Sequence, residues 1–67
     1  MEKFATRLKE LRIEKNLTQD QLSAKTGISQ GAISAYEVGL RIPKIDIFVM
    51  LVKFFNCSPG YLLGIED

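Results

Sequence analysis

Apolar residues return along this chain at helical spacing. Phe4, Leu8 and Leu11 stand at i, i+4 and i+7 and predict a first helix from about Glu2 to Lys15, ended by Asn16 and Leu17. No stretch sustains the period of two that a half-buried strand needs, and no Asn-Gly or Asp-Gly hairpin signal occurs. Thr18-Gln19-Asp20-Gln21 then reads as a capping box. The Thr18 hydroxyl accepts from the Gln21 amide, and the Gln21 side chain reaches back to the Thr18 N–H. Asp20 in the first turn suits the dipole of the helix so started. That second helix is short, because Gly27 follows and supplies a left-handed C-terminal residue.

Only Ile28 separates Gly27 from Ser29, a good N-cap, so a third helix is expected from Gln30 to about Glu37. It stops at Gly39, and Arg41-Ile42-Pro43 continues as loop. A fourth helix is expected from about Ile45 to Phe55, broken by Asn56-Cys57-Ser58. Ser58 caps a last short helix with Pro59 at its first position and Gly64 at its end. The expectation is a compact all-α domain of five short helices spanning residues 1–67.

The fourth helix carries two apolar faces. Ile45, Phe48, Leu51, Val52 and Phe55 cluster on one side of a helical wheel and are expected to face the core. Ile47, Met50 and Phe54 cluster on another. A second apolar face points to a partner surface, and Ile47, Met50, Phe54 and Ile65 are therefore expected at a dimer interface. The competing explanation is that the fifth helix and the tail, through Leu62 and Ile65, cover that face.

Composition narrows the chemistry. A single cysteine, Cys57, excludes an intrachain disulfide, and with no histidine the usual zinc arrangements are absent. Apolar packing must hold the fold, and 46% hydrophobic residues suffice for that. No nucleophile elbow, phosphate loop or metal cluster is present, so no enzyme, cofactor or small-molecule ligand is expected. The start Met1-Glu2-Lys3-Phe4 is unlike a signal peptide, and the longest apolar stretch, Ile45 to Phe55, is too short for a membrane span. A cytoplasmic protein is expected. Net charge is only +1, but two of the acids, Glu66 and Asp67, end the chain. Between Gln21 and Ile45, Lys25, Arg41 and Lys44 face Glu37 alone, so the middle of the chain can meet phosphate without much repulsion.

Two helices joined by a turn containing Gly27 fit a helix-turn-helix unit over about residues 18–38. Leu22, Ile28, Ile33 and Tyr36 fall where its two helices meet the first, and small Ser23 allows close approach. The run from Leu17 to Leu22, then Gly27-Ile28-Ser29-Gln30-Gly31-Ala32-Ile33-Ser34-Ala35-Tyr36-Glu37-Val38-Gly39, Pro43, and the terminal Ser58-Pro59-Gly60-Tyr61-Leu62-Leu63-Gly64 resemble the phage-repressor and Cro-like (XRE) helix-turn-helix family. The resemblance runs from Phe4 to Gly64. It implies a lambda-repressor-like fold and a transcriptional regulator, expected to be a repressor, that binds double-stranded DNA as a homodimer. In that docking mode the second helix of the unit lies in the major groove, its N-terminal residues at base edges.

By position, the resemblance puts Gln30, Gly31, Ser34 and Ala35 at base-facing sites. Gln30 is suited to adenine, because an amide bonds N6 and N7 together, and Ala35 to a thymine methyl. Gly31 lets the helix sit deep in the groove. Thr18 and Gln19 match phosphate-contacting positions, where helix-start amides add attraction for an anion. Arg41 and Lys44 are further phosphate candidates. Arg12 and Glu37 match a family ion pair that neutralises an acid otherwise set near phosphate. Cys57 stands where the family has an apolar residue, so a buried thiol is expected. A different reading remains open: a protein-interaction module, such as an antitoxin, using the apolar face of the fourth helix.

Overall fold

The structure, a computed structural model, describes residues 2–67. Local signals start and stop every helix within a residue or so of expectation: α1 Glu2–Glu14, α2 Gln19–Thr26, α3 Gln30–Glu37, α4 Ile45–Phe55 and α5 Pro59–Leu63. Among the described residues there is no strand. The first helix ends one residue early, where Asn16 turns left-handed at φ 58°. The capping box forms, with the Gln21 N–H donating to Thr18 Oγ1 at 3.1 Å and the Thr18 N–H to Gln21 Oε1 at 2.8 Å. Ser29 and Ser58 accept in the same way from the amides of Ala32 and Tyr61. Gly27 takes φ 79° and donates to the Ser23 carbonyl at 2.8 Å. That left-handed residue turns α3 across α2 within three residues, a conformation that costs a side-chain-bearing residue about 1–2 kcal/mol.

One core joins the helices. Phe4 and Leu8 of α1, Leu22 of α2, and Ile33 and Tyr36 of α3 meet Phe48, Leu51 and Phe55 of α4 and Leu62 of α5, with Ile28 from the turn. Phe4 is central, its ring edge-on to Tyr36 at 6.3 Å and tilted against Phe48 at 6.1 Å. Leu22, Ile28, Ile33 and Tyr36 thus stand where the helix-turn-helix spacing placed them. Arg7 holds the tail against this frame. Its guanidinium lies 4.3 Å from the Tyr61 ring centroid and donates to the carbonyls of Tyr61 and Glu66.

The fourth helix departs from its wheel. Phe48, Leu51 and Phe55 are buried and Val52 half-buried, but Ile45, expected in the core, is 75% exposed. It opens the helix, and neighbouring helices cover the middle of α4 rather than its first residue. Ile47, Met50 and Phe54, expected at a dimer interface, are half-buried against the protein's own core. Phe54 packs edge-on with Phe55 at 5.0 Å, and Lys15 Nζ lies 5.8 Å from its ring centroid. Leu62 is buried, whereas Ile65 is 79% exposed and covers nothing. Cys57 is half-buried and packs on the core, and desolvation pushes its thiol pKa up. Among the described residues, no helix is long and apolar enough to cross a membrane.

Candidate nucleic-acid interface

The four positions expected to face bases lie along one edge of α3. Gln30 and Gly31 are exposed, and Ser34 and Ala35 are half-buried. Nothing lies within 4 Å of where a Cβ on Gly31 would stand, so no packing demand explains a glycine inside this helix. Gly31→Ala is therefore expected to stabilise the fold by about 1 kcal/mol, the difference in helix propensity. In a domain of this size that raises Tm by about 4–8 °C, readable in a thermal melt. An unchanged or lower Tm would show that the glycine has a structural task.

Behind this edge runs a chain of four side chains from α1, α2 and α3. Arg12 and Glu37 form a bidentate pair, Nε to Oε2 at 2.7 Å and Nη2 to Oε1 at 2.9 Å. Arg12 Nη1 also donates to the Leu17 carbonyl at 2.8 Å, tying the end of α1 to the turn before α2. Gln19 Nε2 donates to Glu37 Oε1 at 3.1 Å, and Gln30 Nε2 donates to Gln19 Oε1 at 2.7 Å. Each link is more exposed than the one before it, from an ion pair inside the domain to an amide at its surface.

The pair is well isolated from water. The Arg12 side chain is 11% exposed and that of Glu37 is 2% exposed. The hydrogen bonds Arg12 donates to Glu37 raise the Arg12 pKa above its ordinary value, outweighing the desolvation that would lower it. Among the described residues, no buried side-chain polar atom lacks a partner. The acid at the end of α3 is thus neutralised before it can repel an anion nearby, as the resemblance implies. Three links were not legible in the sequence, Arg12 to the Leu17 carbonyl, Gln19 to Glu37 and Gln30 to Gln19. The two glutamine links depend on how α2 lies against α3, and the Leu17 link on the turn that follows α1.

The expected phosphate residues differ in their freedom. Thr18 is exposed, and its hydroxyl accepts from Gln21 while its own proton remains to be donated. Gln19 keeps one N–H beyond its bond to Glu37. Arg41 and Lys44 are both exposed, and the Arg41 guanidinium stands 5.8 Å from the centroid of the Tyr36 ring. Tyr36 itself is buried, in the core rather than at the surface.

Sequence reasoning missed an apolar groove on the flank of α4 nearer α5. Ile42, Pro43, Ile45, Phe48 and Leu63 line it, and Val49 follows Ile45 by one helical turn. Ile42, Ile45, Val49 and Leu63 are exposed. The available signal was Ile42, a large apolar residue in a segment read as loop.

The helix-turn-helix family profile matches residues 8–62. The chain is 34% identical over 64 residues to YobD of Bacillus subtilis, an uncharacterised HTH-type transcriptional regulator. It is 38% identical over 64 residues to BcrR, an HTH-type transcriptional activator of Enterococcus faecalis. It is 31% identical over 61 residues to RstR, a cryptic phage CTXphi transcriptional repressor of Vibrio cholerae. These alignments cover 96%, 96% and 91% of this chain, but 57%, 31% and 55% of the relatives' lengths.

Proposed function

The chain belongs to the helix-turn-helix family of DNA-binding transcriptional regulators, and from that premise we propose that it reads a pseudo-palindromic operator as a symmetric dimer with α3 in the major groove. The observation that carries the reading is the exposed edge of α3, where Gln30 presents a held amide beside bare Gly31. Gln30 reads adenine, with Ser34 in support and Ala35 against a thymine methyl. Thr18 and Gln19, at the start of α2, and Arg41 and Lys44 beyond α3 hold the flanking phosphates. The protein acts in the cytoplasm as a repressor, covering a promoter by occupying its operator. One short recognition helix buries little DNA surface, so two act together about 34 Å apart.

The second copy docks on the groove of Ile42, Pro43, Ile45 and Leu63. Ile47, Met50 and Phe54 are partly committed to the protein's own core, and Ile65 stays available at the tail.

Selecting bound sequences from a random DNA pool yields the operator, and titrations at several salt concentrations then test the reading. Binding is expected to weaken steeply with salt. Gln30→Ala is expected to lose about 1–3 kcal/mol at one base pair of each half-site, and nothing elsewhere. No affinity for DNA at low salt, with a stable complex with another protein instead, would favour the interaction-module reading and sink this one.

A further inference from the structure

Glu37 is buried among donors and touches no surface, yet its position decides how the exposed end of the side-chain chain is presented. We infer that Glu37 is a positioning residue for base readout, which through Gln19 sets which way round the Gln30 amide faces and so makes Gln30 select adenine over guanine. The inference rests on the reading of Gln30 proposed above.

A glutamine amide carries its oxygen and its NH2 on opposite sides, and half a turn exchanges acceptor for donors. In solution either orientation is available. Here neither Gln19 nor Gln30 is free to choose. Glu37, paired with Arg12, is an ionised carboxylate that only accepts, so Gln19 must turn its NH2 inward to meet Glu37 Oε1. That leaves Gln19 Oε1 pointing the other way, where only a donor fits, and Gln30 supplies Nε2 at 2.7 Å. Reversing Gln19 sets a carbonyl oxygen against the carboxylate. Reversing Gln30 sets two carbonyl oxygens together. Each link therefore transmits the sign of the one before it.

The chemical consequence lies at Gln30. One of its two N–H groups is engaged by Gln19, so it faces outward with a single N–H and a carbonyl oxygen. Adenine offers an acceptor at N7 and a donor at N6, which that pair matches. Guanine offers two acceptors, N7 and O6, and a free amide can turn both N–H groups toward them. The held amide has only one N–H left to give and sets its oxygen against O6. Discrimination against guanine thus comes from the engaged N–H, which traces back to the charge on Glu37.

The test uses two variants, Gln19→Met and Glu37→Gln, titrated on the selected operator and on its single-base-pair substitutions. Gln19→Met keeps a side chain of similar length and leaves the Arg12–Glu37 pair intact, so the fold is retained. It is expected to reduce the preference for adenine over guanine about tenfold or more, at the Gln30 base pair alone. Glu37→Gln, measured well below its Tm, is expected to relax the same base pair, because an amide imposes no single orientation on Gln19. Nitrogen–proton spectra of the free protein should show slowed exchange at the Gln30 side-chain amide, and both variants should abolish it.

Uniform weakening across all sequences, with the adenine preference intact, would overturn the inference and leave Gln19 a phosphate contact. Relaxation by Gln19→Met but not by Glu37→Gln would overturn the part assigned to Glu37. A Gln30→Ala variant with the base preference of the wild type would overturn the reading of Gln30, and the inference with it.

Discussion

Replacing Arg12 with alanine is expected to cost about 3–5 kcal/mol of stability, the range for removing one partner of a buried ion pair. The loss has three parts. The Glu37 carboxylate, whose side chain is 2% exposed, then keeps Gln19 as its only side-chain donor among the described residues. The Leu17 carbonyl loses its guanidinium. The clamp that relates α1 to α3 disappears. A domain of this length has roughly 3–10 kcal/mol to lose, at about 0.05–0.15 kcal/mol per residue. The variant should therefore melt at least about 12 °C lower or not fold at room temperature. Far-UV circular dichroism on heating decides it.

The paired change Arg12→Met with Glu37→Leu separates charge from packing. Apolar replacement of both partners is expected to recover most of the loss, because no unpartnered charge is then buried. A single Arg12→Ala variant that melts like the wild type would show that the pair contributes nothing to the fold. The double variant should also bind DNA with relaxed preference at the Gln30 base pair, since nothing remains to orient Gln19.

Ile45→Glu is expected to leave the fold intact and abolish the dimer. Ile45 is 75% exposed, so a charge there costs the monomer little, but buried in a symmetric contact it faces its own copy. Two linked recognition helices exceed one in affinity by about 10²–10⁴-fold, because the second half-site is bound at a high effective concentration. Affinity for the full operator should fall by that factor. Affinity for a single half-site should not change. Sedimentation of the wild type at tens of micromolar is expected to give a dimer, and of the variant a monomer. Phe54→Lys is the contrast: it strips the edge-on contact with Phe55 and should lower Tm instead. A monomeric wild type, or a dimer indifferent to Ile45→Glu, would show that the copies do not meet here.

Gly31 and Gln30 show how much of the site was legible. Their exposure follows from the helical period and the Ser29 cap, both local. That Gln30 is engaged by Gln19, and Gln19 by Glu37, is not local. Those bonds join residues 11 and 18 positions apart on different helices. A resemblance matched Gln19 to a phosphate-contacting position but said nothing of the direction its amide takes.

Helix starts and stops were determined by the sequence itself, because capping needs partners only two or three residues away. Thr18 with Gln21, and the left-handed Gly27 and Asn56, act within one turn. Burial on α4 was decided by the tertiary structure. A wheel ranks residues by angle alone, and by angle Ile45 belongs with Phe48. What covers a side chain is a neighbouring helix of finite length, and Ile45, in the first turn, is left 75% exposed, while Phe54 finds Phe55 and Lys15. The same distinction holds for charge. The sequence supplied an arginine and a glutamate 25 positions apart, and only the crossing of α1 over α3 brings them to 2.7 Å, where low dielectric makes their pairing strong and its loss costly.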